Sequence, residues 1–147
     1  MAMLEVQGVE SGYGELQILW GVSLKLEEAL LTTMVGSNGS GKTTLLRTLT
    51  GLIPAWKGKI IFDGKDITRL APHEKAEMGL VLVPEGRQLF TDMTVLENLE
   101  MGATPSRARR DYRKNLEWVF ELFPRLKERR SQPGGTLSGG EQQMLAI

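Results

Sequence analysis

Apolar and polar positions alternate loosely over residues 3–9, which predicts a short strand, and Ser11, Gly12, Tyr13 and Gly14 then predict a turn with one aromatic between two glycines. Residues 21–26 alternate as a second strand. Residues 30–35 are nearly continuously apolar, the pattern of a strand buried on both faces of a parallel sheet. Leu45, Leu46, Leu49 and Leu52 recur at helical spacing, so a helix starts near Lys42 and ends at Gly51, a C-cap glycine with Pro54 just beyond it. Residues 59–64 read as a hairpin arm turning at Asp63 and Gly64. The same run imitates a strand ending in a metal-binding carboxylate, but it is short, starts right after Gly58, and has no second acid directly after Asp63.

Farther on, residues 72–77 predict a brief polar helix carrying an exposed His73, and residues 79–83 predict a second buried strand ending at Pro84. Thr94 and Glu97 form a capping box, so a helix should run from Val95 to about Met101 before the breakers Gly102 and Pro105. Tyr112, Leu116, Val119, Phe120 and Phe123 repeat at helical spacing within 106–123, a second amphipathic helix. Nine basic residues between Arg107 and Arg130 are interleaved with Asp111, Glu117, Glu121 and Glu128, the pattern of a solvated helix face rather than an anion-binding surface.

The 147 residues suit one domain with its own core; 41% hydrophobic and 24% charged residues are ordinary for a globular chain. A formal net charge of zero gives no electrostatic reason to expect nucleic acid as a direct partner. With no cysteine there is no disulfide, no zinc–thiolate site and no thiol catalysis, which fits a reducing compartment. No apolar stretch approaches the roughly 20 residues of a membrane-spanning helix, so any membrane association is expected to go through a partner.

Between the apolar run at 30–35 and the helix with Leu45 stand Gly36, Ser37, Asn38, Gly39, Ser40, Gly41, Lys42 and Thr43, followed by Thr44, which satisfy G-x-x-x-x-G-K-[ST] in the order strand, loop, helix. A polyphosphate needs many donors close together, and backbone N–H groups supply them only where no Cβ holds the chain away, hence Gly36, Gly39 and Gly41. The helix dipole, the charge of Lys42 and the Thr43 hydroxyl as a Mg²⁺ ligand complete a site for a magnesium nucleoside triphosphate. The loop alone does not separate a GTPase, a small-molecule kinase, a helicase-like ATPase and a transport ATPase.

Leu137, Ser138, Gly139, Gly140 and Glu141 form a second informative stretch. Ser138 predicts an N-cap with Glu141 closing the box. Glycines in a first turn cost roughly 1 kcal/mol each relative to alanine. They leave the positive end of the helix unshielded, which suggests a second anion site.

Together these motifs resemble the ATP-binding subunit of an ATP-binding-cassette (ABC) transporter over the whole chain, in order. The resemblance implies that Tyr13 stacks on adenine, that Gly36 to Thr43 bind the phosphates of ATP, and that Leu137 to Glu141 contact the γ-phosphate bound by the opposite subunit of a head-to-tail dimer. The run 83–90 with the segment 93–99 is similar to ATPases of branched-chain amino-acid importers. Glu85 stands where most of the family has a glutamine that ligates Mg²⁺ and senses the permease; glutamate keeps the oxygen ligand, loses the amide donor and adds negative charge. The chain ends at Ile147 before the family's Mg²⁺-carboxylate strand, catalytic glutamate and switch histidine, and looks like the N-terminal part of a longer ATPase.

The expected fold is α/β, a phosphate-loop NTPase core with a parallel sheet and an antiparallel β portion, incomplete in this chain. Residues 1–90 would belong to the core and 91–140 to an inserted helical subdomain, with the signature helix starting over 138–147. The expected function is ATP binding and hydrolysis that powers solute import, with branched-chain amino acids as solute and ATP and Mg²⁺ as cofactors. The catalytic candidates are Lys42 and Glu85, and the metal ligands Thr43 and Glu85. A second ATPase subunit, in a homo- or heterodimer, and membrane permease subunits are the expected partners, placing the protein in the cytoplasm at the inner face of the cell membrane. The rival readings are a soluble cassette ATPase acting on nucleic acid or ribosomes, and a nucleotide-binding module without turnover.

Overall fold

The computed structural model describes residues 2–147, which divide into two compact units, one ending at Leu82 and the other spanning Val83–Ile147. The first is built on strands β1 (Ala2–Tyr13) and β2 (Leu16–Glu27), helix α1 (Lys42–Leu49), strands β3 (Lys57–Phe62) and β4 (Lys65–Asp66), and helix α2 (Pro72–Glu77). The strands form one sheet in the order β2-β1-β3-β4, with every pairing antiparallel. Leu4, Val6 and Val9 of β1, Leu19 of β2, Ile60 of β3 and the nearby Ile67 pack with Leu45 and Leu49 of α1, so the helix lies on one face of the sheet.

β1 changes register midway. Leu4 and Val6 point inward, but beyond Gly8 the inward positions are Val9 and Ser11. Against both neighbours β1 carries one extra residue here: Val6 pairs with Leu24 and Val9 with Val22, while Gln7 pairs with Lys59 and Glu10 with Lys57. A bulge of one residue moves all later side chains to the other face. Gly58 of β3 fits against it at φ +85, where an added Cβ would meet the carbonyl oxygens of Gln7 and Gly8 at 2.5 Å.

The Asp63–Gly64 turn is as expected, with both residues at positive φ (47 and 73) between the paired Phe62 and Lys65. So is the end of α1: the Gly51 amide donates to the Thr48 carbonyl and the Leu52 amide to the Arg47 carbonyl, a Schellman arrangement with Gly51 at φ +80. α2 covers the expected residues, and His73 is exposed.

Four expectations need correction. The turn predicted at residues 11–14 is shifted: Ser11, Gly12 and Tyr13 still belong to β1, and the turn is at Gly14 and Glu15. Residues 30–35 are not a strand; Leu31 and Val35 are 97% and 89% exposed. Residues 79–83 are not a strand either, with Val81 69% exposed. A strand buried on both faces needs hydrogen-bonded neighbours on both edges, and among the described residues none pairs with either run, so no parallel pair forms.

The second unit is helical: α3 (Val95–Gly102), α4 (Ser106–Arg110), α5 (Tyr112–Leu122), α6 (Pro124–Glu128), a 3-10 turn (Gly134–Thr136) and α7 (Gly139–Ala146). Its core is Val95, Phe120, Leu126, Leu137 and Leu145. The capping box of α3 is present: the Thr94 hydroxyl accepts from the Glu97 amide at 3.2 Å, and the Glu97 carboxylate accepts from the Thr94 amide at 2.7 Å. The single helix expected over 106–123 is the fourth correction. It is broken at Asp111, which sits at φ −109 and ψ 23 between α4 and α5.

Candidate nucleotide site

The loop before α1 is shaped by its glycines. Gly39 and Gly41 adopt φ +83 and +91, which residues with a side chain rarely accept, and a Cβ on Gly36 would meet the Ser40 hydroxyl at 2.7 Å. The turn is held by the Ser40 amide donating to the Ser37 carbonyl at 3.2 Å, and α1 starts with the Leu45 amide on the Gly41 carbonyl at 2.8 Å. The Lys42 ammonium reaches back over the loop and donates to the Gly36 and Ser37 carbonyls, each at 2.8 Å. Gly36 to Ser40 are exposed, Lys42 and Thr43 half-buried, and Thr44 buried against the core. The helix presents its first-turn N–H groups and the positive end of its dipole toward the same loop.

Tyr13 ends β1, 41% exposed, on the side of the strand that faces α1. Arg47 of α1 donates from Nη1 to its hydroxyl at 3.3 Å. The Thr44 side chain, ahead of Arg47, favours the phenolate and holds the phenol below its ordinary pKa. Tyr13 and α1 are therefore joined directly. Sequence reasoning missed Arg47, although its spacing of three from Thr44 puts both on one helix face.

Under the same helix lies a buried polar chain: the Ser11 and Thr48 hydroxyls are 3.1 Å apart, and Ser11 donates to the Pro54 carbonyl at 2.8 Å. At the far end of α1, the fully buried Lys75 donates from Nζ to the Leu49 carbonyl at 3.0 Å, a cation on the negative end of the helix. Burial pulls the Lys75 pKa below the ordinary lysine value.

In the helical unit, Ser138 is the N-cap of α7. Its hydroxyl accepts from the Glu141 amide at 3.3 Å, and its amide donates to the Glu141 carboxylate at 3.0 Å. Ser138, Gly139 and Gly140 are exposed, while the Glu141 side chain is turned inward to Arg129 at 3.0 Å and Arg125 at 3.6 Å. The Ser138 bonds first, then the two arginines, lower the Glu141 pKa below the ordinary glutamate range. Glu85 lies in an exposed turn of this unit, followed by Gly86, Arg87 and Gln88, all at positive φ (82, 66 and 51). Arg87 donates to Gln142 of α7 at 2.7 Å, and its Nη2 lies 3.3 Å from where a Cβ on Gly139 would be, so glycine there leaves room for the guanidinium.

The ABC transporter family profile matches residues 19–147. The chain belongs to the ABC transporter family. It is 44% identical over 145 residues to BraG of Pseudomonas aeruginosa, named as a high-affinity branched-chain amino acid transport ATP-binding protein, covering 99% of this chain and 62% of that protein. LivF of Archaeoglobus fulgidus, a probable branched-chain amino acid transport ATP-binding protein, is 36% identical over 99% of this chain and 61% of its own length. Among solved structures, a nucleotide-free ATP-binding cassette from an ABC transporter superposes with a TM-score of 0.80 at 30% identity, covering all of this chain and 63% of that one. The fold is thus the α/β phosphate-loop NTPase fold of ABC cassettes, and the chain spans less than two thirds of the length of these relatives.

Proposed function

We propose that this chain is the nucleotide-gripping part of an ATPase that powers import of branched-chain amino acids. The observation that carries the reading is the single helix α1, which begins at a glycine-shaped loop and holds the exposed Tyr13 through Arg47. The likeness to BraG and LivF supplies the solute class.

In this reading adenine stacks on Tyr13. The amides of Gly36, Ser37, Asn38, Gly39, Ser40 and Gly41 cradle the phosphates, with Lys42 moving from its own loop carbonyls onto the terminal phosphates. The donor set fits ATP with Mg²⁺: the loop is all backbone amide and cation, and the Thr43 hydroxyl is an oxygen ligand of the kind Mg²⁺ takes. Thr43 and Glu85 would hold the ion, which would supply positive charge against the terminal phosphates. Glu85 retains the metal-ligand role that the family resemblance gives it. Ser138 and the amides of Gly139 and Gly140 are offered to the γ-phosphate held by a second subunit, while Glu141 keeps their turn in shape.

Hydrolysis also needs an oriented water and a general base, a contribution of about 10²–10⁴-fold in rate. We propose further that the 147 residues by themselves bind ATP without efficient turnover, because Glu85 is assigned to the metal rather than to the attacking water. No helix among the described residues is long and apolar enough to cross a membrane. The proposed station is the cytoplasmic face of the cell membrane, on permease subunits, as half of an ATPase dimer.

Calorimetric titration with Mg-ATP tests the reading. The parent chain binds, Lys42→Ala does not, and Tyr13→Ala loses roughly 1–3 kcal/mol, the scale of base–aromatic stacking. Wild-type affinity in Lys42→Ala removes the phosphate-loop assignment. For the dimer, Ser138→Arg leaves monomer affinity intact and abolishes nucleotide-driven association; loss of monomer affinity shows instead that the serine acts within its own subunit.

A further inference from the structure

An aromatic at the tip of a hairpin stacks on any flat ligand, but it must first give up its own side-chain freedom. Tyr13 sits beside the two-residue turn at Gly14 and Glu15, paired across the hairpin with Leu16. Its ring is nonetheless tethered at the hydroxyl by Arg47 of α1 at 3.3 Å, one turn beyond Thr44 on the same helix. Thr44 is buried and directly follows Thr43, while Arg47 lies in the last turn of the helix. The helix beginning at the phosphate loop therefore also holds the far end of the aromatic ring.

Resting on the reading of Tyr13 as the base-stacking residue, we infer that Arg47 is a positioning residue for nucleotide recognition, locking the Tyr13 ring at a set offset from the phosphate loop. The pair works as a gauge between base and phosphates. A ligand that has both gains from the tether, and one with phosphates alone does not. The same bond predicts that Tyr13→Phe, which keeps the stacking face and every charge, is not a silent substitution.

The test is a double-mutant cycle on the full 147-residue chain, with the parent, Tyr13→Phe, Arg47→Met and the double variant titrated with Mg-ATP and with Mg-tripolyphosphate. Each single variant should weaken ATP binding about three- to tenfold, the scale of one net hydrogen bond. The double variant should lose no more than about a single one does, and Tyr13→Phe should bind tripolyphosphate like the parent. Parent-like ATP affinity in Tyr13→Phe, or losses that simply add, overturn the tether. Tyr13→Ala separates the two readings: if it binds ATP like the parent, stacking itself is wrong, whereas a weakened Tyr13→Ala beside a parent-like Tyr13→Phe keeps stacking and removes only Arg47. A ligand-free readout is the absorbance titration of the Tyr13 phenol in a Tyr112→Phe background. Its midpoint should lie below that of ordinary tyrosine and rise with Arg47→Met, and an unmoved midpoint overturns the inference.

Discussion

Ser11 and Thr48 meet hydroxyl to hydroxyl at 3.1 Å inside the sheet–helix interface, both essentially without solvent contact. Thr48 also shares its proton with the Thr44 carbonyl at 2.8 Å, and Ser11 donates to Pro54, so the pair ties β1, α1 and the segment after the helix into one buried network. Removing one member leaves a desolvated acceptor behind, at a cost of about 1–3 kcal/mol. Ser11→Ala and Thr48→Val should each lower the unfolding free energy from urea titration by that scale, and the double variant by less than their sum. Full additivity would show that the two hydroxyls act independently.

The loop before α1 should respond to a single methyl group. Gly36→Ala places a Cβ 2.7 Å from the Ser40 hydroxyl in an exposed loop, so the Ser40 side chain must turn, and ATP binding should weaken while thermal stability stays near that of the parent. Calorimetry and a melting curve on one sample check both halves. A large fall in melting temperature at unchanged affinity contradicts the assignment.

Lys75 makes stability depend on alkaline pH. Its folded pKa is depressed by burial, so between the folded and the ordinary lysine pKa the unfolded chain binds the proton that the folded chain has lost. Stability contributed by this group therefore rises with pH through that window, and is lowest below the folded pKa, where a buried cation must be kept. The stability of the parent minus that of Lys75→Met, from denaturation curves at successive pH values, should increase through the window. A difference that stays flat or falls shows that the ammonium is not held at a desolvation cost.

Glu141 has the opposite sign. Its bonds to Ser138 and its pairs with Arg129 and Arg125 depress its folded pKa, so its contribution is complete above the ordinary glutamate pKa and is lost as pH falls through the lower folded value. Glu141→Gln keeps an oxygen for the Ser138 amide but gives up the arginines. It should melt below the parent at neutral pH, with the two curves converging in acid. A gap that does not change with pH would assign the loss to packing alone.

The motifs were legible because their chemistry is local. Gly36 to Thr43 specify a turn and a helix start within one stretch of chain, and the boxes at Thr94 and Ser138 close over three residues, so no distant contact is needed to form them. The Asp63–Gly64 turn and the Gly51 cap were legible for the same reason, since positive φ is a property of a residue and its neighbours. The partition of residues 106–123 at Asp111 was not, because hydrophobic spacing continues across the break.

What only the tertiary structure decided depends on partners. An apolar run such as 30–35 has the composition of a central strand, but a strand exists only where another backbone accepts its hydrogen bonds, and no described residue does so. The face on which Tyr13 emerges was equally hidden: alternation counted from Leu4 and Val6 would send it away from α1, and one extra residue beside Gly8, received by Gly58 of the neighbouring strand, turns it toward Thr44 and Arg47. Sequence by itself determined which chemical groups this protein carries and where its chain must turn, because backbone conformation is set by near neighbours. The pairing of strands determined which of those groups face one another, because a bulge of one residue is invisible in periodicity yet reverses every side chain beyond it.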